Sequence, residues 1–385
     1  MHIVHVANAY GPKSGGLRTA MHQMALGYMQ AGHEVTLIVA GPAAADELTP
    51  FGRRIMVPAP ELKGSGGYRF IVRPSRVTKV LDGLRPDRLE VSDRSTLRRL
   101  GTWGRRRGVP TVMWAHERVD GVLAAWLPEW LPLVKMADAH NRVSARLFDV
   151  IACTTQFAQA EFDRIAVANT ARIPLGVDLE MFNRGNFSAQ VQEDFTGGGE
   201  PLLVMCSRLS KEKRPQIAID AMAELVRRGF RGHLVVAGDG PLAAELRAAA
   251  SGLPITFLGF ITERERVAAL LASADVVLAP GPIETFGLAA LEAMASGTPV
   301  VVSRTSALAE VVGEPSFGAG LAVDPAGRAF ADAVTDILTR DIEQRRAAAR
   351  TRAEVFPWSR STELALAMHE GLMALPAGNR RGGRS

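Results

Sequence analysis

Short apolar runs recur along the chain, and most are followed by a Gly- or Pro-containing turn and then by apolar residues spaced three and four apart. In the first half the runs are Ile3–Ala7, Glu34–Ala40, Leu89–Val91, Thr111–Trp114 and Val150–Cys153. In the second half they are Leu202–Cys206, His233–Ala237, Ile255–Leu258, Val276–Ala279 and Val300–Val302. An amphipathic segment follows Gly15-Gly16 and reaches about Gln30. Strand and helix patterns that alternate in this way predict α/β architecture with parallel sheets. Residues 184–200 are polar and end in Gly197-Gly198-Gly199, the strongest linker signal in the chain. The expected plan is a first domain over 1–183, a linker over 184–200 and a second domain over 201–356. A last apolar-periodic helix over 357–375 follows, and then a Gly/Arg-rich, disordered tail over 376–385.

Composition narrows the class. The chain has 385 residues with 47% apolar content, enough for two sizeable cores. No stretch approaches the roughly 18 uncharged apolar residues needed to cross a bilayer. The opening His2-Ile3-Val4-His5-Val6 reads as a strand and not as a signal peptide. Cys153 and Cys206 each end an apolar run and read as buried thiols in a reducing cytoplasm. Charge is uneven: residues 1–185 carry +7 and residues 186–385 carry −2, within a total of +5. A basic first half implies an anionic partner. The chain shows no nucleic-acid module, which points to an anionic membrane surface and away from nucleic acid.

The most informative stretch is Pro280 to Ser303. The run Val276–Ala279 is broken by Pro280-Gly281-Pro282, and a helix is expected from about Gly287 to Ser296. Glu284 then precedes a helix N-terminus, while Leu288 and Glu292 share one helix face. Were the span wholly helical, the two carboxylates would stand roughly 12 Å apart along its axis. The amides of Phe286, Gly287 and Leu288 lie between them, where a helix N-terminus favours an anion. One anion flanked by two polyols fits that arrangement. Two glutamates eight apart are by themselves an ordinary pair of solvated helix charges, and the specificity comes from the strand, Pro/Gly loop, Glu-Thr-Phe-Gly, helix and Gly297-Thr298-Pro299 around them.

This element resembles the Glu-x7-Glu motif of the retaining nucleotide-sugar glycosyltransferases of family 4. The resemblance extends over nearly the whole chain. It implies the GT-B fold: two Rossmann-like domains facing across a cleft, with the C-terminal helix crossing back to the first. Cys206-Ser207-Arg208-Leu209-Ser210-Lys211-Glu212-Lys213-Arg214 is similar to the family's Gly-Arg-Leu-x-x-x-Lys-Gly, in which the Arg and Lys bind the donor diphosphate. Arg208 and Lys213 match, whereas Ser207 and Arg214 stand where the family often has Gly. Because the chain contains no Asp-x-Asp, fixed cations and helix amides are expected to replace a metal at the leaving group. Gly15 and Gly16 match the family's Gly-Gly near the donor phosphates and the acceptor. His116, just past Thr111–Trp114, matches a histidine that touches the donor sugar, with a positioning role and not that of a base. Ile261 and Thr262, after Gly259-Phe260, match the nucleobase loop. Asp178 matches a signature that shapes the hinge.

Within the family, Glu90-Val91-Ser92-Asp93-Arg94, Ala115-His116-Glu117-Arg118 and Ser303-Arg304-Thr305-Ser306-Ala307-Leu308 resemble the GDP-mannose-dependent α-mannosyltransferases of cell-envelope lipids. The resemblance implies transfer of mannose from GDP-mannose to a membrane glycolipid acceptor, without cofactor or metal. The enzyme would be cytoplasmic and peripheral on the inner face of the plasma membrane. The segments expected to touch lipid are Arg98–Arg107, with five arginines and Trp103, and Val122–Lys135, with Trp126 and Trp130. Transfer of another hexose or to a soluble acceptor stays open on the residues alone. So does a non-catalytic nucleotide-sugar-binding protein, because fold does not fix function.

Overall fold

The structure, a computed structural model, describes residues 1–11, 15–61, 67–128 and 130–374. The tail expected over 376–385 lies outside these. The chain forms two compact units, Met1–Leu175 with the segment from Trp358 onward, and Gly176–Pro357.

The first unit is built on an eight-stranded sheet. In chain order its strands are β1 (His2–Ala7), β2 (Glu34–Gly41), β3 (Ala45–Thr49), β4 (Gly52–Pro58), β5 (Arg88–Ser92), β6 (Thr111–Ala115), β7 (Val150–Cys153) and β8 (Thr170–Arg172). Across the sheet they run β3-β4-β2-β1-β5-β6-β7-β8, parallel except for β3. The central strands are buried on both faces, so they read as continuous apolar runs and not as alternating ones. β3 and β4 escaped the pattern because Ala-Asp-Glu-Leu-Thr is a polar edge strand. Asp46 and Glu47 pair with Arg53 and Arg54 across the hairpin at 2.7 and 2.8 Å, a charged margin that discourages further strand pairing. The C-terminal helix Trp358–Ala374 belongs to this unit and packs on helix Gly16–Gln30. Gly27 allows the close approach, since a Cβ there would sit 2.1 Å from Thr362 Oγ1.

The second unit has six parallel strands, β9 (Leu202–Cys206), β10 (His233–Ala237), β11 (Ile255–Gly259), β12 (Val276–Ala279), β13 (Val300–Ser303) and β14 (Gly320–Val323), ordered β11-β10-β9-β12-β13-β14. Here the expected boundaries need correction. Residues 184–200 are not a free linker. Ser188 caps helix Ala189–Thr196 and its amide donates to Ser273 Oγ at 2.9 Å, while Phe195 stacks on His233. Only Gly197-Gly198-Gly199, all at positive φ, behave as the expected loop. The chain enters and leaves this unit side by side, with the Val177 amide donating to the Phe356 carbonyl at 2.9 Å. Polar helices that pack through a few contacts give a weak hydrophobic period, which is why the linker reading went wrong.

Candidate functional site

In the second unit the chain winds outward from β9 through β10 and β11, then returns to place β12 on the other side of β9. The loops leaving β9 and β12 therefore diverge, and ligands of open α/β sheets bind at the carboxyl ends of strands at such a switch point. The two motifs expected to bind a diphosphate sugar occupy these two loops.

After β9, Ser207 and a half-exposed Arg208 lead into a single 3₁₀ turn, Lys211–Lys213. Arg214 closes it in the left-handed region at φ 45°, a conformation that favours glycine. The Lys213 ammonium pairs with Glu284 Oε1 on the loop after β12. Gly281 makes room: a Cβ there would come within 3.2 Å of Glu284 Cγ. The loop after β13 supports the same segment, because the Ala307 amide donates to the Glu284 carbonyl at 2.9 Å. Gly287 caps helix Leu288–Ala295 at φ 82°, and a Cβ would meet Leu308 Cδ2 at 2.3 Å. Phe286 is buried against Phe356.

Glu292 engages a different cation from Glu284. It is buried on helix Leu288–Ala295 and accepts from Arg264 Nη2 at 2.9 Å. Burial raises its pKa, Arg264 opposes the shift and the Asp178 charge adds to it. Arg264 opens the helix after the loop carrying Ile261 and Thr262, which are half-buried and exposed respectively. Asp178 makes a turn by accepting from the Glu180 and Met181 amides at 3.1 and 2.9 Å. Burial pushes the Cys206 thiol up to about 12, and the Glu292 charge adds to the shift, so it is a protonated thiol and not a nucleophile.

Sequence reasoning missed Gly238-Asp239-Gly240. The Leu209 amide donates to the Asp239 carbonyl at 3.1 Å, and Cβ atoms at Gly238 and Gly240 would lie 1.8 and 2.4 Å from the Ser207 and Leu209 carbonyl oxygens. These glycines let the loops after β9 and β10 run against each other, which fixes the position of Arg208. The available signal was two glycines around an aspartate directly after an apolar run.

In the first unit the switch point lies between β1 and β5. Gly15 caps helix Gly16–Gln30 near it, exposed and with open space where a Cβ would stand. His116 follows β6 and stacks on Trp114 at 5.8 Å between ring centroids. Its Nε2 lies 2.8 Å from Ser92 Oγ. Burial lowers its pKa to about 3, with the His5 and Arg94 charges helping, so the ring is neutral near neutral pH. The turn after it is pinned by buried Glu161, which accepts from the Val119 and Asp120 amides at 3.0 and 2.8 Å.

One lipid-contact expectation is corrected. Trp103 is a core residue whose Nε1 donates to Asp82 Oδ1 at 2.9 Å, so only the charged side of Arg98–Arg107 faces outward. Helix Leu100–Arg107 turns Gly101, Trp103 and Gly104 inward and leaves Arg105, Arg106 and Arg107 exposed. Trp130 is 81% exposed, with Val134 and Met136 also exposed near it.

Residues 14–181 match the model described as Glycosyltransferase Family 4, and residues 200–340 match Glycosyl transferases group 1. A GDP-mannose-dependent alpha-(1-6)-phosphatidylinositol dimannoside mannosyltransferase of Mycobacterium tuberculosis is 50% identical over 368 residues, 95% of this chain and 95% of that protein. An MMP alpha-(1->4)-mannosyltransferase of Mycolicibacterium hassiacum is 30% identical, over 78% of this chain and 74% of that one. The solved sucrose-phosphate synthase of Thermosynechococcus elongatus superposes with a TM-score of 0.78 at 21% identity, covering 97% of this chain and 99% of that one, a likeness of fold.

Proposed function

The chain belongs to the family-4 glycosyltransferases of GT-B fold, and from that premise we propose that it transfers mannose from GDP-mannose to a membrane glycolipid of the phosphatidylinositol mannoside class. The product is an α-mannoside, formed with retention. The observation that carries the reading is the Lys213–Glu284 pair across the β9/β12 switch point, with Arg208 on the same loop as Lys213.

The mannosyl C1–O bond to the diphosphate breaks as the acceptor oxygen bonds C1 on the same face. The acceptor proton passes to the departing phosphate oxygen. Negative charge grows on the diphosphate, and Arg208 and Lys213 are the groups assigned to stabilise it. Glu284 holds Lys213 and addresses sugar hydroxyls, Glu292 addresses the ribose, and the loop of Ile261 and Thr262 addresses the base. Gly15 and Gly16 admit phosphate or acceptor to the backbone, while the amides of Phe286, Gly287 and Leu288 face the anion. His116 positions the sugar. This assignment uses no metal ion, so exhaustive chelation should leave turnover unchanged; a loss restored by Mg²⁺ or Mn²⁺ would give the leaving-group role to a metal.

The acceptor side of the proposal places the first unit on an anionic cytoplasmic membrane surface, through Trp130 and the exposed arginines. No helix among the described residues is long and apolar enough to cross a membrane. The purified protein should be incubated with a panel of labelled nucleotide-sugars and extracted envelope lipids. Labelled lipid from GDP-mannose alone, with α-configuration in the product, is the expected result. Labelling from another donor, or of a water-soluble product, would overturn the assignment of sugar or acceptor.

A further inference from the structure

Two arginines, an aromatic ring and a buried carboxylate are linked within the second unit. Glu292 lies inside helix Leu288–Ala295 and is buried, a costly place for a carboxylate unless a cation meets it. Arg264 supplies one, its Nη2 donating to Glu292 Oε1 at 2.9 Å. Arg264 is the first residue of helix Arg264–Ser273, where the macrodipole disfavours a positive charge, so its own helix gives no reason for an arginine there. Its guanidinium lies over the ring of Phe182, 4.8 Å from the centroid, and Phe182 is wholly buried. Arg350, on helix Ile342–Ala353, anchors the residue that bears this ring. Its Nη1 donates to the Phe182 and Ala295 carbonyls, each at 2.9 Å. Ala295 ends the helix that carries Glu292. Ring and carboxylate are tied to one support, and the head of Arg264 is held between them.

From this geometry we infer that Arg264 is a positioning residue for the donor: seated on Phe182, it holds Glu292 Oε1 so that Oε2 is presented to the ribose hydroxyls. The charged groups facing Glu292 act in opposite directions. Burial raises its pKa most, Arg264 lowers it, and the Asp178 charge raises it. Cys206 on β9 also feels Glu292, but burial keeps that thiol protonated. Without Arg264, burial and Asp178 act unopposed and Glu292 takes up its proton at higher pH. A hydroxyl then meets a neutral acid, and the charge-assisted hydrogen bond is lost. The inference rests on the reading of Glu292 as the residue that addresses the ribose.

Calorimetric titration of the full-length protein with GDP and with 2′,3′-dideoxy-GDP separates Arg264 from its premise. Wild type should bind GDP at least about tenfold tighter than the dideoxy nucleotide, as expected when hydroxyls meet a charged acceptor. Arg264→Gln should erase most of that preference, because the dideoxy nucleotide has nothing to offer Glu292. The loss should be larger near pH 6 than near pH 8, since the raised Glu292 is ionised again at the higher value. Arg264→Lys keeps the charge but not the planar fork that stacks on Phe182, and should fall between the two. Ionisation is read without nucleotide by carbon NMR of protein labelled at the glutamate carboxyl carbons, with Glu292→Gln assigning the signal. Glu292 should titrate at higher pH in Arg264→Gln than in wild type. It should titrate at lower pH in Asp178→Asn, whose Oδ1 can still accept from the Glu180 and Met181 amides. A Glu292 titration indifferent to Arg264→Gln, or an equal loss of affinity for both nucleotides at every pH, would overturn the inference. Equal binding of the two nucleotides by wild type would instead remove its premise, the ribose role of Glu292.

Discussion

Lys213 and Glu284, 71 residues apart in sequence, form an ion pair that ties the loop after β9 to the loop after β12. Both groups keep part of their surface in water, so the pair contributes little to stability. Its value lies in placement. Arg208 and Lys213 sit on one loop, and the glutamate that orients the lysine sits across the switch point.

Arg208→Ala and Lys213→Ala should each lower kcat/KM by at least about 2 kcal/mol of transition-state stabilisation, roughly thirtyfold, with the melting temperature nearly unchanged. Glu284→Gln keeps the shape and removes the charge that faces Lys213, so its loss should appear in kcat more than in donor affinity. Steady-state kinetics alongside calorimetric titration with GDP separates these. Turnover within tenfold of wild type for both cation variants would remove them from the diphosphate site.

Gly238 and Gly287 answer to sterics. At Gly238 a Cβ would press within 1.8 Å of a backbone oxygen, which has nowhere to go, whereas at Gly287 it meets the movable end of Leu308. Gly238→Ala should therefore destabilise by more than about 3 kcal/mol, and Gly287→Ala by about 1–3 kcal/mol through strained φ and crowding. Leu308→Ala should recover only part of the Gly287→Ala loss, because the positive φ remains. Urea denaturation of Gly238→Ala, Gly287→Ala and the Gly287→Ala/Leu308→Ala double variant tests the order.

Lipid attachment should split into two measurable parts. Replacing Arg105, Arg106 and Arg107 with Ser should remove on the order of 1 kcal/mol each from binding to anionic vesicles, an effect that fades with salt. Trp130→Ser should weaken binding to anionic and neutral vesicles alike, since it removes apolar insertion. Sedimentation with both vesicle types across a salt series distinguishes them. Equal binding of wild type to the two vesicle types would refute an electrostatic contribution.

Stability should fall as pH drops from 6.5 toward 4. Burial lowers His22 from 6.5 to about 4, aided by Arg18 and Arg54, and lowers His140 to about 4, aided by Arg98 and Arg94. Below 6.5 the unfolded chain binds protons that these folded rings refuse, so protonation favours unfolding. Both rings are partly solvated, and after screening each accounts for on the order of 1 kcal/mol by about pH 5. A His22→Gln/His140→Gln variant should flatten the decline between pH 7 and about pH 5 in urea unfolding; an unchanged slope would show that other groups carry it. Glu90 acts lower, because its depressed pKa gives stability that begins to be lost as pH falls through the ordinary carboxylate range, where the unfolded chain takes up the proton first.

The apolar runs determined most of the parallel strands, since a strand buried on both faces is mostly apolar, as Val300-Val301-Val302 is. Local spacing likewise determined where Glu284, Arg208 and His116 sit relative to their strands, because the loop after a parallel strand starts within a residue or two of the last apolar position. Tertiary structure decided everything that depends on strand order. Neighbouring β9 and β12 bring Lys213 to Glu284, and neighbouring β1 and β5 bring His5 to Glu90, though neither pairing leaves a trace in local periodicity. The same holds for Trp103, whose arginine-rich surroundings suggest a surface while its helix turns it toward Asp82 and the core. A sequence records what each segment prefers to bury. Which buried polar groups meet is settled only when sheets assemble, because each such group needs a partner that the chain supplies from far away.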